Sequence, residues 1–356
     1  MWNGKTITAI LAVLFFLGLG FLFFDRKETP RLEFSAILPM TGDNSASGSA
    51  SRAGLLLAKE DLEKAGVESH IRIFDSKRSS DEALSIMSTI ADDNTSQFVF
   101  SSFSNVTQVV NPIAFRRKLV IFYDSCNCGF AEENQYSFQF YFDPRLECRL
   151  AGEFYKSKGA SKVAFLGLDV PYGKYCYENL QQVFGAENVL VEKEAEDLRK
   201  DYGALLASFK EEGVGFVISV PAVSDFPALF SANSKSEINL PIVCFDNACL
   251  TENIKNNSEE AWLSNIVPFG LSASPYFEER ILSLHPDFDH QRIIEAGIAY
   301  DSLQYASRAL SKCKNIDSEC LVEAIKKDKK YKGAIISNGF GDDRVLDYKS
   351  VFEDWN

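Results

Sequence analysis

Short, wholly apolar runs alternate with longer segments of helical period along this chain, and that alternation most restricts its fold. Strand-length runs fall at 33–38, 71–75, 97–101, 119–123, 163–167, 188–192, 215–220 and 241–245. Val120-Ile121-Phe122-Tyr123 and Val163-Ala164-Phe165-Leu166 carry no period-two alternation, as expected of strands buried on both faces. Helical patterns occupy 51–65, 81–92, 106–117, 146–158, 173–185, 201–212, 275–284, 291–312 and 318–328. Such alternation implies right-handed crossovers and parallel sheets covered by helices. The expected class is α/β, doubly wound. The Ser/Asn-rich stretches 231–239 and 251–260 read as surface loops, and the tail from 332 as short strands and turns.

A chain of 356 residues exceeds one small core, and a break at Asp143-Pro144-Arg145 favours two sheets over one. The net charge of −13 argues against nucleic-acid binding, which needs clustered Lys and Arg. It leaves room for a small anionic ligand held locally. The 29 Phe residues are expected chiefly in cores.

Residues 7–24 carry no charge and are rich in Leu and Phe. As a helix they would span roughly 27 Å, close to the hydrocarbon core of a bilayer. No small-x-small cleavage site ends the run, which favours an uncleaved signal anchor over a removed signal peptide. The remainder is then expected outside the cytoplasm, anchored to the membrane through this helix. Eight cysteines form an even set, with Cys313–Cys320 and Cys244–Cys249 the most plausible local bridges. Cys126-Asn127-Cys128 lacks a second ligand pair at zinc spacing, so no metal is expected, and no cofactor either.

Residues 34–62 pass from an apolar run, through a loop of Thr, Gly, Asp, Asn and Ser over 39–51, into a helical pattern. A strand ending in small polar residues at a helix start suits an anion, because N–H groups point outward and the helix dipole favours negative charge. Comparable loops follow the other strands at 101–107, 124–128, 169–173, 221–225 and 246–249. In open parallel sheets, ligands bind beyond the carboxyl ends of the strands.

These segments carry a family likeness. LPMTGDNSASGSASRAGLLLAKEDL resembles the opening of type I periplasmic solute-binding proteins of the leucine/isoleucine/valine-binding class. SSFSNVTQVVNPIAFRRKLVIFYDS, the loop Asp169-Val170-Pro171-Tyr172-Gly173, AYDSLQYASRAL and YKGAIISNGFGDDRV resemble later segments of that class, in order, to about residue 350. The resemblance implies two lobes joined by three crossovers that close on a ligand by hinge motion. It places 1–31 as anchor and linker, 32–143 plus 246–330 as lobe one, and 144–245 plus 331–356 as lobe two. It also implies site residues: Ser104 for an α-carboxylate, Asp124 through its backbone, Cys126 at a position often held by Thr, Tyr172 closing from lobe two, and Asp246 meeting an ammonium group. Ser47 stands where an aromatic is common, and Cys126 is a poor donor, so the resemblance does not imply a leucine-like ligand.

G-x-S-x-G, G-x-G-x-x-G, P-loop and H-E-x-x-H motifs are all missing, which argues against an enzyme. The expected function is capture of an amino acid or related carboxylate between two lobes for an ABC permease. A ligand-sensing module acting through a membrane partner, and a structural descendant that no longer binds, are the alternatives.

Overall fold

The computed structural model describes residues 31–125, 129–141, 143–168, 171–194, 201–220, 226–235, 238–245, 266–269 and 271–348. Two parallel sheets organise it. The first contains β1 (Leu32–Leu38), β2 (Ser69–Asp75), β3 (Phe98–Ser102), β4 (Val120–Asp124) and β5 (Ser137–Gln139), in the order β2-β1-β3-β4-β5. The second contains β6 (Val163–Leu168), β7 (Val189–Glu194), β8 (Phe216–Val220), β9 (Ile242–Phe245) and β10 (Ile266–Phe269), in the order β10-β9-β8-β6-β7. Every pairing within both is parallel. A separate antiparallel pair joins β11 (Ser337–Phe340) and β12 (Leu346–Tyr348).

Helices cover both faces of the first sheet. On one lie α1 (Ser45–Lys64), α10 (His290–Lys312) and α11 (Ser318–Lys326); on the other lie α2 (Ser80–Asp93) and α3 (Ser104–Arg117). An aromatic ladder crosses the sheet beneath α10. Phe34 stacks on Phe98 at 6.5 Å, Phe98 on Phe122 at 6.0 Å, and Phe122 meets Phe138 at 5.7 Å. In-register pairing of Phe34 with Phe98, and of Phe122 with Phe138, places these rings side by side. The Phe-rich composition thus goes into the core. The second sheet is covered by α5 (Pro144–Ser157) and α6 (Pro171–Phe184) on one face, and by α7 (Tyr202–Glu211) and α8 (Phe226–Lys235) on the other.

All eight expected strands form, along with two that the sequence pattern left out. β5 has only three residues, too few for a periodic signal. β10 carries Pro268, tolerated because the strand lies at a sheet edge. A short helix, α4 (Gly129–Glu133), also went unread. The stretch 231–239 is not a simple surface loop, because α8 runs through its first half. Phe226, Leu229 and Phe230 bury one face of α8, while Asn233 donates to the Leu240 carbonyl at 2.8 Å and accepts from its N–H at 3.1 Å.

The expected lobe boundaries need two corrections. β10 pairs with β9, so 266–269 belongs with the second sheet and not the first. The tail packs the other way. Phe340, Leu346 and Tyr348 join the first core, with Phe340 at 4.9 Å from Phe140 and 5.0 Å from Phe138. Asp301 of α10 fixes this arrangement, accepting from the Tyr331 hydroxyl at 2.6 Å and from the N–H groups of Ala334 and Ile335 at 2.7 and 2.9 Å.

Two disulfides have both cysteines among the described residues. Cys313–Cys320 closes the turn between α10 and α11, as the sequence anticipates. Cys148–Cys176 ties α5 to α6, a pairing no local spacing signals. Cys244 is disulfide-bonded, and its expected partner Cys249 lies outside the described residues. So does the apolar run 7–24; among the described residues no helix is long and apolar enough to cross a membrane.

Candidate functional site

The order β2-β1-β3 reverses direction between β1 and β3, and ligands of open parallel sheets settle at such a switch point. A concavity of about 730 Å³ opens there, at the carboxyl ends of the first sheet's strands. Each strand end contributes. Asn44, Ser47 and Ser51 follow β1, Arg78 follows β2, Ser102 ends β3 with Phe103 to Asn105 after it, Asp124 ends β4 with Ser125 after it, and Tyr141 follows β5. Gln291 and Glu295 of α10 complete the wall.

Ser47 was expected on a loop over 39–51, yet α1 begins at Ser45 and the loop is shorter. Serine and glycine are weak helix formers, so tertiary packing decides here. A Cβ on Gly48 would lie 2.2 Å from the Pro39 carbonyl oxygen, and one on Gly54 only 1.9 Å from that of Ala296. Glycine at both places lets α1 press against the incoming loop and against α10. That approach brings Ser47 to Arg292, whose guanidinium donates to the Ser47 hydroxyl and to Glu295. Burial pushes the Glu295 carboxyl above its ordinary range, against the opposing pull of Arg292 and Ser47.

The β3–α3 connection is a single residue, Phe103, with φ of 70° and ψ of 139°. Positive φ is uncommon for an aromatic residue and clusters at functional sites. Two contacts hold it: its N–H donates to the Asp124 carbonyl at 3.0 Å, and the Arg78 guanidinium lies 4.7 Å from its ring centre. Arg78 is fixed in turn by a 2.8 Å bond to Asn44, while Asn105 donates to the Arg78 carbonyl at 2.8 Å. The tight turn presents the start of α3 to the concavity, and no side chain of Phe103 caps that helix. Helix N-termini leave backbone donors for another acceptor.

The floor holds the least satisfied groups. Ser102 is 3% exposed and Ser125 is 4% exposed, and neither hydroxyl has a hydrogen-bond partner among the described residues. Buried hydroxyls without partners are rare, and each asks for an explanation. The strand-end rule pointed to these loops but did not single out either residue.

Of the sequence-expected site residues, Ser47, Ser104 and Asp124 come together on this wall. Tyr172 does not line it. That residue starts α6, partly buried between the cores of the two sheets. Cys126 and Asp246 lie outside the described residues. Among the described residues no cluster of His, Cys, Asp and Glu could hold a metal ion.

Comparison with known proteins places this geometry in a family. No curated protein matches the chain. Among solved structures, it is similar to the leucine-binding protein LivK of Thermotoga maritima, at 18% identity over 90% of this chain and 94% of the other, with a TM-score of 0.69. The substrate-binding protein LivJ of Streptococcus pneumoniae, in complex with isoleucine, is 16% identical over 90% and 95% of the two chains, with a TM-score of 0.69. An ABC-transporter solute-binding protein of Rhodopseudomonas palustris, in complex with p-hydroxybenzoic acid, is 15% identical over 92% and 99%, with a TM-score of 0.70. At these identities the likeness establishes the fold. A family model described as periplasmic binding protein matches residues 33–347, nearly the whole described chain, and the chain therefore belongs to the periplasmic binding protein family.

Proposed function

We propose that this protein captures a small carboxylate between its two halves and delivers it to an ABC importer, held at the membrane by residues 7–24. The observation that carries the reading is the pair of buried, unpartnered hydroxyls of Ser102 and Ser125 beside the start of α3. Leucine, isoleucine and p-hydroxybenzoate, named with the similar proteins, share one group, the carboxylate. A carboxylate entering this floor loses water and needs donors. Two hydroxyls, the α3 N-terminus and the nearby Arg78 guanidinium supply them. Charge-assisted hydrogen bonds contribute about 1.5–3 kcal/mol each, so three or four reach micromolar affinity before ordering is counted.

Ser104 and Asp124 belong to the carboxylate end of this site. In this reading Tyr172 closes the cleft from the second half, and Asp246 receives an ammonium group where the ligand has one. Cys126, next in sequence to Ser125, is assigned to the same end of the site by the family resemblance. The halves then comprise 32–143 with 271–348, and 144–245 with 266–269.

Thermal melting of the full chain against a panel of amino acids and aromatic and aliphatic carboxylates tests the reading. A ligand at 100 times its Kd stabilises by about 2.7 kcal/mol, a readily measured rise in Tm. Ser104→Ala is expected to weaken the best hit at least tenfold. A folded chain that responds to no carboxylate, or binding indifferent to Ser104, overturns the proposal.

A further inference from the structure

The start of α3 comes to the concavity from one face of the first sheet, and α10 covers the opposite face. From α10, Glu295 lines the same concavity at 7% exposure. Its carboxylate is built in from behind. Arg292, one turn earlier, donates to it and to Ser47, and Asp289 caps the helix by accepting from the Arg292 N–H at 2.9 Å. From the same first turn Gln291 reaches Glu295 only at 3.5 Å, the limit of a hydrogen bond. A buried carboxylate accepts several hydrogen bonds, and this one retains capacity toward the cavity. Nothing apolar from α10 lines the concavity; its contributors there are Gln291 and Glu295. A branched aliphatic group placed against them would strip water from Glu295 and return no hydrogen bond.

We infer that Glu295 selects the end of the ligand opposite its carboxylate, so that the preferred solute is a small carboxylate bearing a hydrogen-bond donor, ammonium or hydroxyl, at its far end. Ser47 and Arg292 act as positioning residues, holding Glu295 in one rotamer. This inference rests on the carboxylate reading above and adds the chemistry of the second end.

Titration calorimetry of the full chain with size-matched pairs tests it: L-lysine against L-norleucine, and 4-hydroxybenzoate against benzoate. The donor-bearing member of at least one pair is expected to bind about tenfold tighter or more, the value of one charge-assisted hydrogen bond. Glu295→Leu should erase that difference. Because Glu295→Leu leaves the half-buried Arg292 without its carboxylate and risks misfolding, Glu295→Gln provides the second variant. It keeps the shape and loses the charge, so the lysine preference should shrink while a hydroxyl preference persists. The ratio within a pair is the reading, since a purely structural Glu295 would weaken both members alike. Binding of carboxylates with no donor preference, or a preference unchanged in both variants, overturns the inference and leaves the carboxylate reading standing. Failure of every probe on a folded chain overturns both.

Discussion

The two sheets share one wiring. In each, the strands lie in the order second, first, third, fourth, fifth, all parallel. In each, the third strand carries near its carboxyl end a buried serine hydroxyl, Ser102 or Ser219, with no hydrogen-bond partner among the described residues. Yet the halves are held together differently. The first has a continuous aromatic ladder, extended by Phe140 just after β5, Tyr305 of α10 and Phe340 of the tail. The second, like the first, has a separate cluster on each face and a disulfide between neighbouring helices, here α5 and α6, but its stacked pair Tyr155–Phe216 runs from helix to strand. Topology repeats because parallel sheets permit few solutions; the means of filling a core are free to diverge.

That difference can be broken from either side. Phe122→Ala removes the centre of the ladder, a ring packed against Phe98, Phe138 and Phe140. Chemical denaturation should show a loss of about 3–5 kcal/mol. Replacing Cys148 and Cys176 by Ala opens a 28-residue separation, worth about 3–4 kcal/mol in the chain-entropy account. Hydrogen exchange should localise the first loss to β1–β5 and the second to α5 and α6. Equal deprotection of both sheets by either change would mean that the halves unfold as one unit.

A smaller and pH-dependent difference comes from Asp301. Burial pushes its carboxyl up to about 7, although three donors favour the charged form. Unfolded, the same group titrates near 3.8. Between these values the folded chain binds more protons, so this contribution is complete below about pH 4 and is lost as pH rises to about 7. The first half, with the tail that Asp301 anchors, should lose stability across that window by up to a few kcal/mol. Melting curves at pH 4.5, 6 and 7.5 check this against Asp301→Asn, which keeps one acceptor and cannot titrate. An identical pH slope in the variant would remove Asp301 from the account.

Much of the wiring was legible because strands buried on both faces announce themselves as unbroken apolar runs. The loops that hold Ser104 and Asp124 were legible for a related reason, since they stand where such runs stop; the two residues themselves were implied by the family resemblance. What escaped depended on distant partners. Cys148–Cys176 joins helices 28 residues apart, and nothing local marks the pair. Helix α1 starts at Ser45 only because Gly48 and Gly54 let it nestle against Pro39 and Ala296, so a run of serines that reads as loop is held helical. Glu295 sits in an unremarkable helical pattern, and its place on the cavity wall follows from α10 crossing beside α1. The tail's attachment to the first core likewise required Phe340 to find Phe138 across 202 residues of chain.

The smallest expected effect separates the two serines. A buried hydroxyl that lacks a partner is a penalty in the free protein, so Ser102→Ala and Ser219→Ala should each leave the ligand-free stability unchanged or slightly raised, by about 1 kcal/mol at most. Ser102 lines the concavity beside Ser125 and the start of α3. Removing its hydroxyl should weaken carboxylate binding about tenfold, the value of one hydrogen bond to a charged group. Ser219 does not line this concavity, so its alanine variant should bind as the parent does. Calorimetric titration of both variants gives the answer directly. If Ser219→Ala weakens binding as much as Ser102→Ala, the second sheet's strand end belongs to the site on the same terms as the first. If neither variant does, the unpartnered hydroxyls are features of the shared topology, and the carboxylate must find its donors elsewhere.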